Sequence, residues 1–384
     1  MIIVQQVRTK KQQKEFLNFP LELYRGNPYF VPPLYGDEKK LFRKDYVYYD
    51  TSEAVYFNAY ENGKMVGRIS GILQFAANEK WGQKQVRFTR FDSIDSQEVA
   101  NALFGAVEDW ALSKGMDTVV GPLGFNDLER EGLLIEGFEE LSTFEEQYNY
   151  EYYPRLVENC GYAKDVDWVE RQLRVPAQID EKLERVSTLM MKRYKLRYDD
   201  SKTTREFLKR YADKFFNVLD ETYETLYGTV PITEGAKKML MSNFKLLIDK
   251  RFVGVIVDEN DEVAAFGVCF PSIAEAVQPS GGKLTPAALV RLLKARNHPR
   301  VIDLGLIGVV PKFQSKAIAS AMIYQTLMMM KNNHIEYAET NLNLEDNNNI
   351  QNQWKAFDAR LHKRRRSYKK VLTQPGEEIA QPAE

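Results

Sequence analysis

The stretch Val309-Val310-Pro311-Lys312-Phe313-Gln314-Ser315-Lys316-Ala317-Ile318-Ala319 sets a short polar turn between an apolar strand and an apolar helix. A turn that feeds a helix N-terminus aims several backbone N–H groups, and the positive end of the helix dipole, at one point, which suits a phosphate. Upstream, Val301 to Ile307 reads as a strand, and downstream Ile318 to Met330 reads as a helix with an apolar stripe. Asp303 stands among apolar neighbours in that strand. Held inside, such an acid could take a proton as a general base; at a strand end facing water it is a surface charge.

Other residues could contribute. Lys316 could meet a phosphate as a point charge, although one lysine on a turn is usually solvated. Asn347, Asn348 and Asn349 precede a helix, where asparagine is a preferred N-cap. Tyr368 follows the basic run Lys363 to Arg366, which reads as an exposed hairpin. In the first half, Gly121-Pro122 leads into a glycine-punctuated loop with Asn126, Glu131, Glu136, Tyr148 and Tyr152. That loop could line a pocket for a small molecule or simply fold as a surface.

Composition narrows the classes. Lys and Arg number 53 against 54 Asp and Glu, a net charge of −1 that gives no global case for nucleic acid. Cys160 and Cys269 lie far apart in apolar or helical settings, and His298, His334 and His362 are scattered, so no metal site is expected. The N-terminal apolar run is too short for a signal peptide, and no stretch approaches the roughly 20 apolar residues of a membrane span. A soluble cytoplasmic protein of two domains is the expectation.

The turn Gln314-x-x-Ala317-x-Ala319 resembles the pyrophosphate-binding motif of the GNAT superfamily of acyl-CoA N-acyltransferases, Gln/Arg-x-x-Gly-x-Gly/Ala, with alanine for the first glycine. From about Phe19 to about Leu372 the chain is similar to a bacterial family of long GNAT-like proteins. The matching strings include Asn27 to Leu34, Gly132 to Phe138, Tyr148-Asn149, Leu344 to Asn347 and Arg364 to Tyr368. The resemblance implies an α/β (α+β) protein of two tandem GNAT-like domains, each a mixed, mostly antiparallel sheet flanked by helices. It implies transfer of an acyl group from acetyl-CoA or a longer acyl-CoA to a primary amine.

In that frame Val309, Val310, Gln314, Ser315, Lys316, Ala317, Ile318 and Ala319 hold the cofactor and Asn347 meets its pantetheine arm. Asp303, eleven residues before Gln314, is the base and Tyr368 the acid, while Asn126, Glu131, Glu136, Tyr148 and Tyr152 line an acceptor pocket. Proteins of similar build include aminoacyltransferases that use charged tRNA and N-acyltransferases of long-chain amines. A non-catalytic GNAT-like binding module is the rival reading, favoured by Ala317.

The elements that must position these residues repeat. Residues 2–8 read as a strand, Lys10 to Arg25 as a helix, and Ala54 to Tyr60 and Met65 to Phe75 as a hairpin about Asn62-Gly63. Strand Gln85 to Phe91, helix Ser96 to Lys114, strand Thr118 to Val120, helix Tyr152 to Asn159 and closing strand Trp168 to Val175 follow. No motif turn follows Asp92, so the first domain is expected to lack the cofactor site. The second half runs Leu196 to Tyr198, helices Arg205 to Leu226 and Thr233 to Asp249, then Phe252 to Val257, Val263 to Phe270 and Val301 to Val310. It ends with the helix to Lys331, strand Tyr337 to Thr340, helix Ile350 to Leu361 and closing strand Ser367 to Leu372. Domains of 1–176 and 177–372 are expected, joined near Pro176, with a disordered tail over 373–384 and a surface excursion at Ile273 to Leu293.

Overall fold

The computed structural model describes residues 1–314 and 316–372; Ser315 and the tail 373–384 lie outside the described residues. The chain divides into two compact units, Met1–Asp167 with the segment from Arg364 onward, and Trp168–Lys363. Each division falls inside a strand, so neither coincides with the junction expected at Pro176.

The first unit contains β1 (Ile2–Gln6), α1 (Lys10–Leu23), β2 (Ser52–Glu61), β3 (Lys64–Gln74), β4 (Gln85–Ser93), α2 (Gln97–Ser113), β5 (Thr118–Gly121) and β6 (Leu133–Glu136). Thr9 opens α1 with a reciprocal capping box to Gln12. Asn62 and Gly63, both at positive φ, make the turn between β2 and β3. The strands run β1-β2-β3-β4-β5, antiparallel except for the parallel pair β4 and β5. Val99, Leu103, Phe104, Val107 and Ala111 give α2 a continuous apolar stripe, and it packs on Ile69, Val86 and Phe88.

The second unit repeats the plan with α3 (Glu181–Arg193), β8 (Arg197–Tyr198), α4 (Thr204–Tyr223), α5 (Glu234–Leu247), β9 (Val253–Val257), β10 (Val263–Pro271), α6 (Pro286–Asn297), β11 (Val301–Val309), α7 (Ile318–Asn332), β12 (Tyr337–Thr340) and β13 (Asn343–Leu344). Its strands run β8-β9-β10-β11-β12, again antiparallel but for one parallel pair, β11 with β12. α2 bridges that parallel pair in the first unit, and α7, preceded by the four-residue helix Pro311–Gln314, bridges it in the second.

The closing strands are exchanged. β7 (Ala163–Arg174) follows the first unit in sequence, yet its Leu173 and Gln172 pair with Ala338 and Glu339 of β12. β14 (Asp358–Val371) follows the second unit, yet its Tyr368 to Val371 pair with Gly121 to Thr118 of β5. The expected assignment of Trp168–Val175 to the first domain and Ser367–Leu372 to the second is therefore reversed. Both segments alternate well enough to close a half-buried sheet, and only long-range pairing selects which. The helix expected to reach Leu361 stops at Ala356 after a 3₁₀ turn, and Asp358 already belongs to β14.

Candidate functional site

The second unit concentrates its unusual features along β11. This strand pairs with β12 only from Val301 to Leu304 but stays paired with β10 as far as Val309. Beyond Leu304 one edge of β11 is thus relieved of its strand partner. Three side chains answer that stretch at two-residue spacing. Asn341 Nδ2 donates to Gly305 O at 3.4 Å, Tyr223 OH donates to Ile307 O at 3.1 Å and accepts from Ile307 N at 3.3 Å, and Gln314 Nε2 donates to Val309 O at 3.1 Å. Backbone groups bonded to pliable side chains can exchange those partners for a ligand's amides, as a paired strand cannot.

A bulge re-aims the strand. Val268 opposes Leu306 and Cys269 opposes Leu304, so Gly305 is an extra residue without a partner on β10. Phe266 pairs with Gly308 and Phe270 with Asp303, and directly opposed residues share a face. The rings lie where side chains of Gly305 and Gly308 would stand: a Cβ at Gly305 would be 2.6 Å from Phe270 Cε2, and one at Gly308 2.5 Å from Phe266 Cε1. The other face of the sheet is covered by α7, whose Ile323, Leu327 and Met330 pack with Ile302 and Ala338.

Asp303 is buried rather than a strand-end acid facing water, and has Glu339 as its partner on β12. His362 Nε2 stands 2.7 Å from Glu339 Oε2, and Lys363 Nζ lies 3.4 Å from the same oxygen and 3.2 Å from Glu170 Oε2. Three acids, a lysine and an imidazole therefore cross this buried part of the sheet. Burial pushes the Cys269 thiol up to about 12, with the charge of Asp303 adding to it, so this cysteine is a neutral core residue.

The turn after β11 leads to a helix whose N-cap residue offers no side-chain bond. Val310 N donates to Ala264 O at 3.0 Å and its side chain is buried, as is that of Ile318, which leaves only backbone groups of these residues for a ligand. Lys316 places its ammonium 5.0 Å from the Tyr194 ring centroid and 4.9 Å from that of Phe313. Ala317 is the N-cap of α7 at φ 54°, a left-handed conformation, and supplies no capping side chain; Ala319 follows in the first turn. In the first unit the corresponding helix, α2, is capped by Ser96, whose hydroxyl accepts from Val99 N, and carries Glu98 in its first turn. That N-terminus has answered itself, while the N-cap of α7 has no side chain able to do so. Asn347 caps the next helical turn, its Oδ1 accepting from Ile350 N at 3.3 Å.

On the face that carries Phe266, an apolar cavity of ≈ 570 Å³ with its open mouth included lies between α4, α5 and strands β9 and β10. Phe207, Phe215, Val218, Met241, Val255 and Phe266 are among its walls. Tyr211 also lines it but sends its hydroxyl to Asp199 Oδ1 at 3.1 Å.

The residues expected to line an acceptor pocket are in the first unit and are mostly engaged in its framework. Asn126 Nδ2 donates to Tyr48 OH at 3.2 Å. Tyr148 OH accepts from Asn27 Nδ2 and donates to Phe138 O, both at 3.1 Å. Tyr152 OH donates to Ser93 O at 2.7 Å and its ring stacks on Tyr150 and Tyr153. Glu131 is buried, and desolvation, aided by the charge of Asp127, holds its carboxyl well above the usual range. Glu136 is exposed, 3.3 Å from Arg364. Asp92, near the end of the first unit's equivalent strand β4, accepts from Arg68 Nε at 2.7 Å and Tyr24 OH at 2.9 Å.

Tyr368, expected on the second domain's closing strand, belongs instead to the core of the first unit, where its hydroxyl donates to Glu158 Oε1 at 3.1 Å. The structure thus brings Asp303, Gln314 and residues 316–319 to one strand and its exit, and does not bring Tyr368 or the first-unit residues into that unit. Tyr223, Asn341, Glu339 and His362 were missed. No local spacing marks them, because their roles come from the register of β11 against β12 and from a helix placed far off in sequence.

No family model matches the chain. Two curated relatives are similar over most of their length. Protein YghO of Escherichia coli is 25% identical over 380 residues, 96% of this chain and 95% of the relative. A bacterial ceramide synthase of Caulobacter vibrioides is 28% identical over 317 residues, 80% of each. Among solved structures, a tandem GNAT protein from the clavulanic acid biosynthesis pathway matches with a TM-score of 0.54 and 10% identity, covering 98% of this chain and 100% of that one. The glucosamine N-acetyltransferase region of a fungal multi-domain beta-N-acetylglucosaminidase matches with a TM-score of 0.57 and 11% identity, covering 96% of this chain and 38% of that one. The chain has the GNAT fold, in tandem.

Proposed function

We propose that this tandem GNAT-fold chain is an N-acyltransferase whose second unit takes a coenzyme A thioester as donor and a primary amine as acceptor, with a long alkyl chain on at least one of them. The carrying observation is the edge of β11: it loses its strand partner after Leu304 and leads, past the short helical turn Pro311–Gln314, to the N-terminus of α7, where Ala317 leaves the cap position without a side-chain bond. A donor with a pyrophosphate and an amide-bearing arm suits that arrangement. The helix amides and dipole would take the phosphates, and the groups now answered by Asn341, Tyr223 and Gln314 would take the arm. The relative named as a ceramide synthase supports a long chain, since a ceramide is an N-acylated long-chain amine. The apolar cavity walled by Phe215 and Phe266 supports it too.

In the reaction, the amine nitrogen attacks the thioester carbonyl, the N–C bond forms and the C–S bond breaks. Asp303, on the strand that would hold the donor, takes the proton lost by the amine, and the departing thiolate is protonated from solvent.

The test is thiol release from acetyl-CoA and from hexadecanoyl-CoA in the presence of short and long primary amines. Release that needs a long chain on donor or acceptor, and that drops when Ala212→Phe narrows the cavity, supports the reading; no release with any pair and no binding of coenzyme A rejects it. Ala317 in place of the motif's glycine favours a second reading, a module that binds a thioester without turning it over; binding without release would select it.

A further inference from the structure

We propose that α6 docks the protein on the surface of an anionic lipid bilayer. The excursion between β10 and β11 leaves Leu284 51%, Leu289 47%, Val290 67% and Leu293 56% exposed. With 3.6 residues per turn, Leu289, Val290 and Leu293 share one face of α6, while Ala288, which is buried, marks the opposite one. Arg296 and Lys294 flank the apolar face on its two sides. Scattered exposed leucines need no explanation, but four apolar side chains in one short excursion, three of them on one helix face, form a patch that solvent penalises.

Charge selects the occupant. From Gly281 to Arg300 the chain has five lysines and arginines (Lys283, Arg291, Lys294, Arg296 and Arg300) and no acid, in a protein whose net charge is −1. Arg300 is answered by Glu336 at 2.9 Å, and Arg291 Nε donates to Ala276 O at 3.0 Å, which ties the helix to the turn beneath it. Leucine and valine on one face with lysine and arginine at its borders is the pattern of a helix lying in the headgroup region, its apolar side chains dipping inward and its basic ones reaching anionic lipid. A protein partner would have to present a matching acidic rim; a second copy of this chain would bring the same positive charge to itself. Among the described residues no helix is long and apolar enough to cross a membrane, so the attachment is peripheral.

This inference does not rest on the reading of the β11 site. Its test is flotation of the full chain with vesicles of phosphatidylglycerol and phosphatidylcholine in equal parts, against vesicles of phosphatidylcholine alone. Binding to the first, roughly tenfold or more weaker binding to the second, and weakening in about 0.5 M salt are expected. Val290→Glu with Leu293→Glu should abolish it, and Lys283→Glu with Lys294→Glu should remove the preference for the anionic lipid, both with unchanged melting temperature because these four residues are exposed. Failure of the unaltered chain to float with either vesicle overturns the proposal, and so does flotation of the Val290→Glu, Leu293→Glu double variant equal to that of the unaltered chain. A self-associated wild type that this double variant converts to monomer overturns it as well, by making a second copy the occupant.

Discussion

Asp303 and Gly308 are five residues apart on β11 and yet face the same side of the sheet, because Gly305 takes up the odd residue as a bulge. In a regular strand they would point to opposite faces. The bulge therefore sets the carboxylate on the side where Phe266 borders the apolar cavity, away from α7. Asp303→Asn keeps the shape and removes the base. Turnover is expected to fall by about 10²–10⁴-fold with coenzyme A affinity unchanged. Steady-state rates beside calorimetry check it, and normal turnover would remove Asp303 from the chemistry.

Tyr223 is expected to compete with the donor. Its hydroxyl both donates to and accepts from Ile307 on the edge of β11. Tyr223→Phe leaves those two backbone groups without this partner, so stability should drop by about 1 kcal/mol. Affinity for coenzyme A should rise because the ligand no longer displaces a phenol. Urea unfolding and calorimetry read the two effects separately. Lower stability with unchanged affinity would make Tyr223 a structural brace only.

Ala317 carries a conformational cost that glycine would not. At φ 54° its Cβ crowds the following carbonyl. The penalty is about 1–2 kcal/mol, which glycine's larger unfolded-state entropy partly offsets. Ala317→Gly should raise stability by a few tenths to about 1 kcal/mol, and Ala317→Val should lower it, since a branched side chain tolerates the left-handed region worse. Denaturant midpoints decide between this and an indifferent turn.

Glu131 should make the protein less stable as pH rises. Its folded carboxyl titrates well above its ordinary value of 4.5 because it is buried, with Asp127 nearby. Below about pH 4.5 both states hold the proton and nothing is lost. Above it the unfolded chain releases the proton while the folded chain retains it, so stability declines with pH until the folded group also titrates. Glu131→Gln should flatten that decline and raise the melting temperature at about pH 8, with little change at about pH 4. Parallel melting curves for both proteins across that range test the sign.

Much of the fold was legible because it is written locally. The apolar stripe of α2, the Asn62-Gly63 turn and the strand, polar turn and helix order around Gln314 each depend on residues near in sequence. Asp303 was legible because an acid among valine, isoleucine and leucine breaks a pattern. The exchange of β7 and β14 was not, since Leu173 and Tyr368 carry no local sign of whether Ala338 or Gly121 will be opposite. Tyr223 and Asn341 were invisible for the same reason: the edge they cover exists only once β12 stops at Thr340. Asn126, Tyr148 and Tyr152 looked like ligand contacts because polar and aromatic residues in a glycine-rich loop are ambiguous until their hydrogen-bond partners are known.

The exchanged strands invert the order in which the strand sets of the two units can be finished. On the ribosome β5 emerges early but keeps an open edge until Tyr368 to Val371 arrive, after the whole second unit has been made. β7, in contrast, is already waiting when β12 appears. The half translated later can close its sheet first, and the nascent first half must keep an unpaired edge from sticking to its neighbours for nearly the whole of synthesis. For the same reason a gene cut between the two repeats would yield two fragments, each carrying the other's last strand.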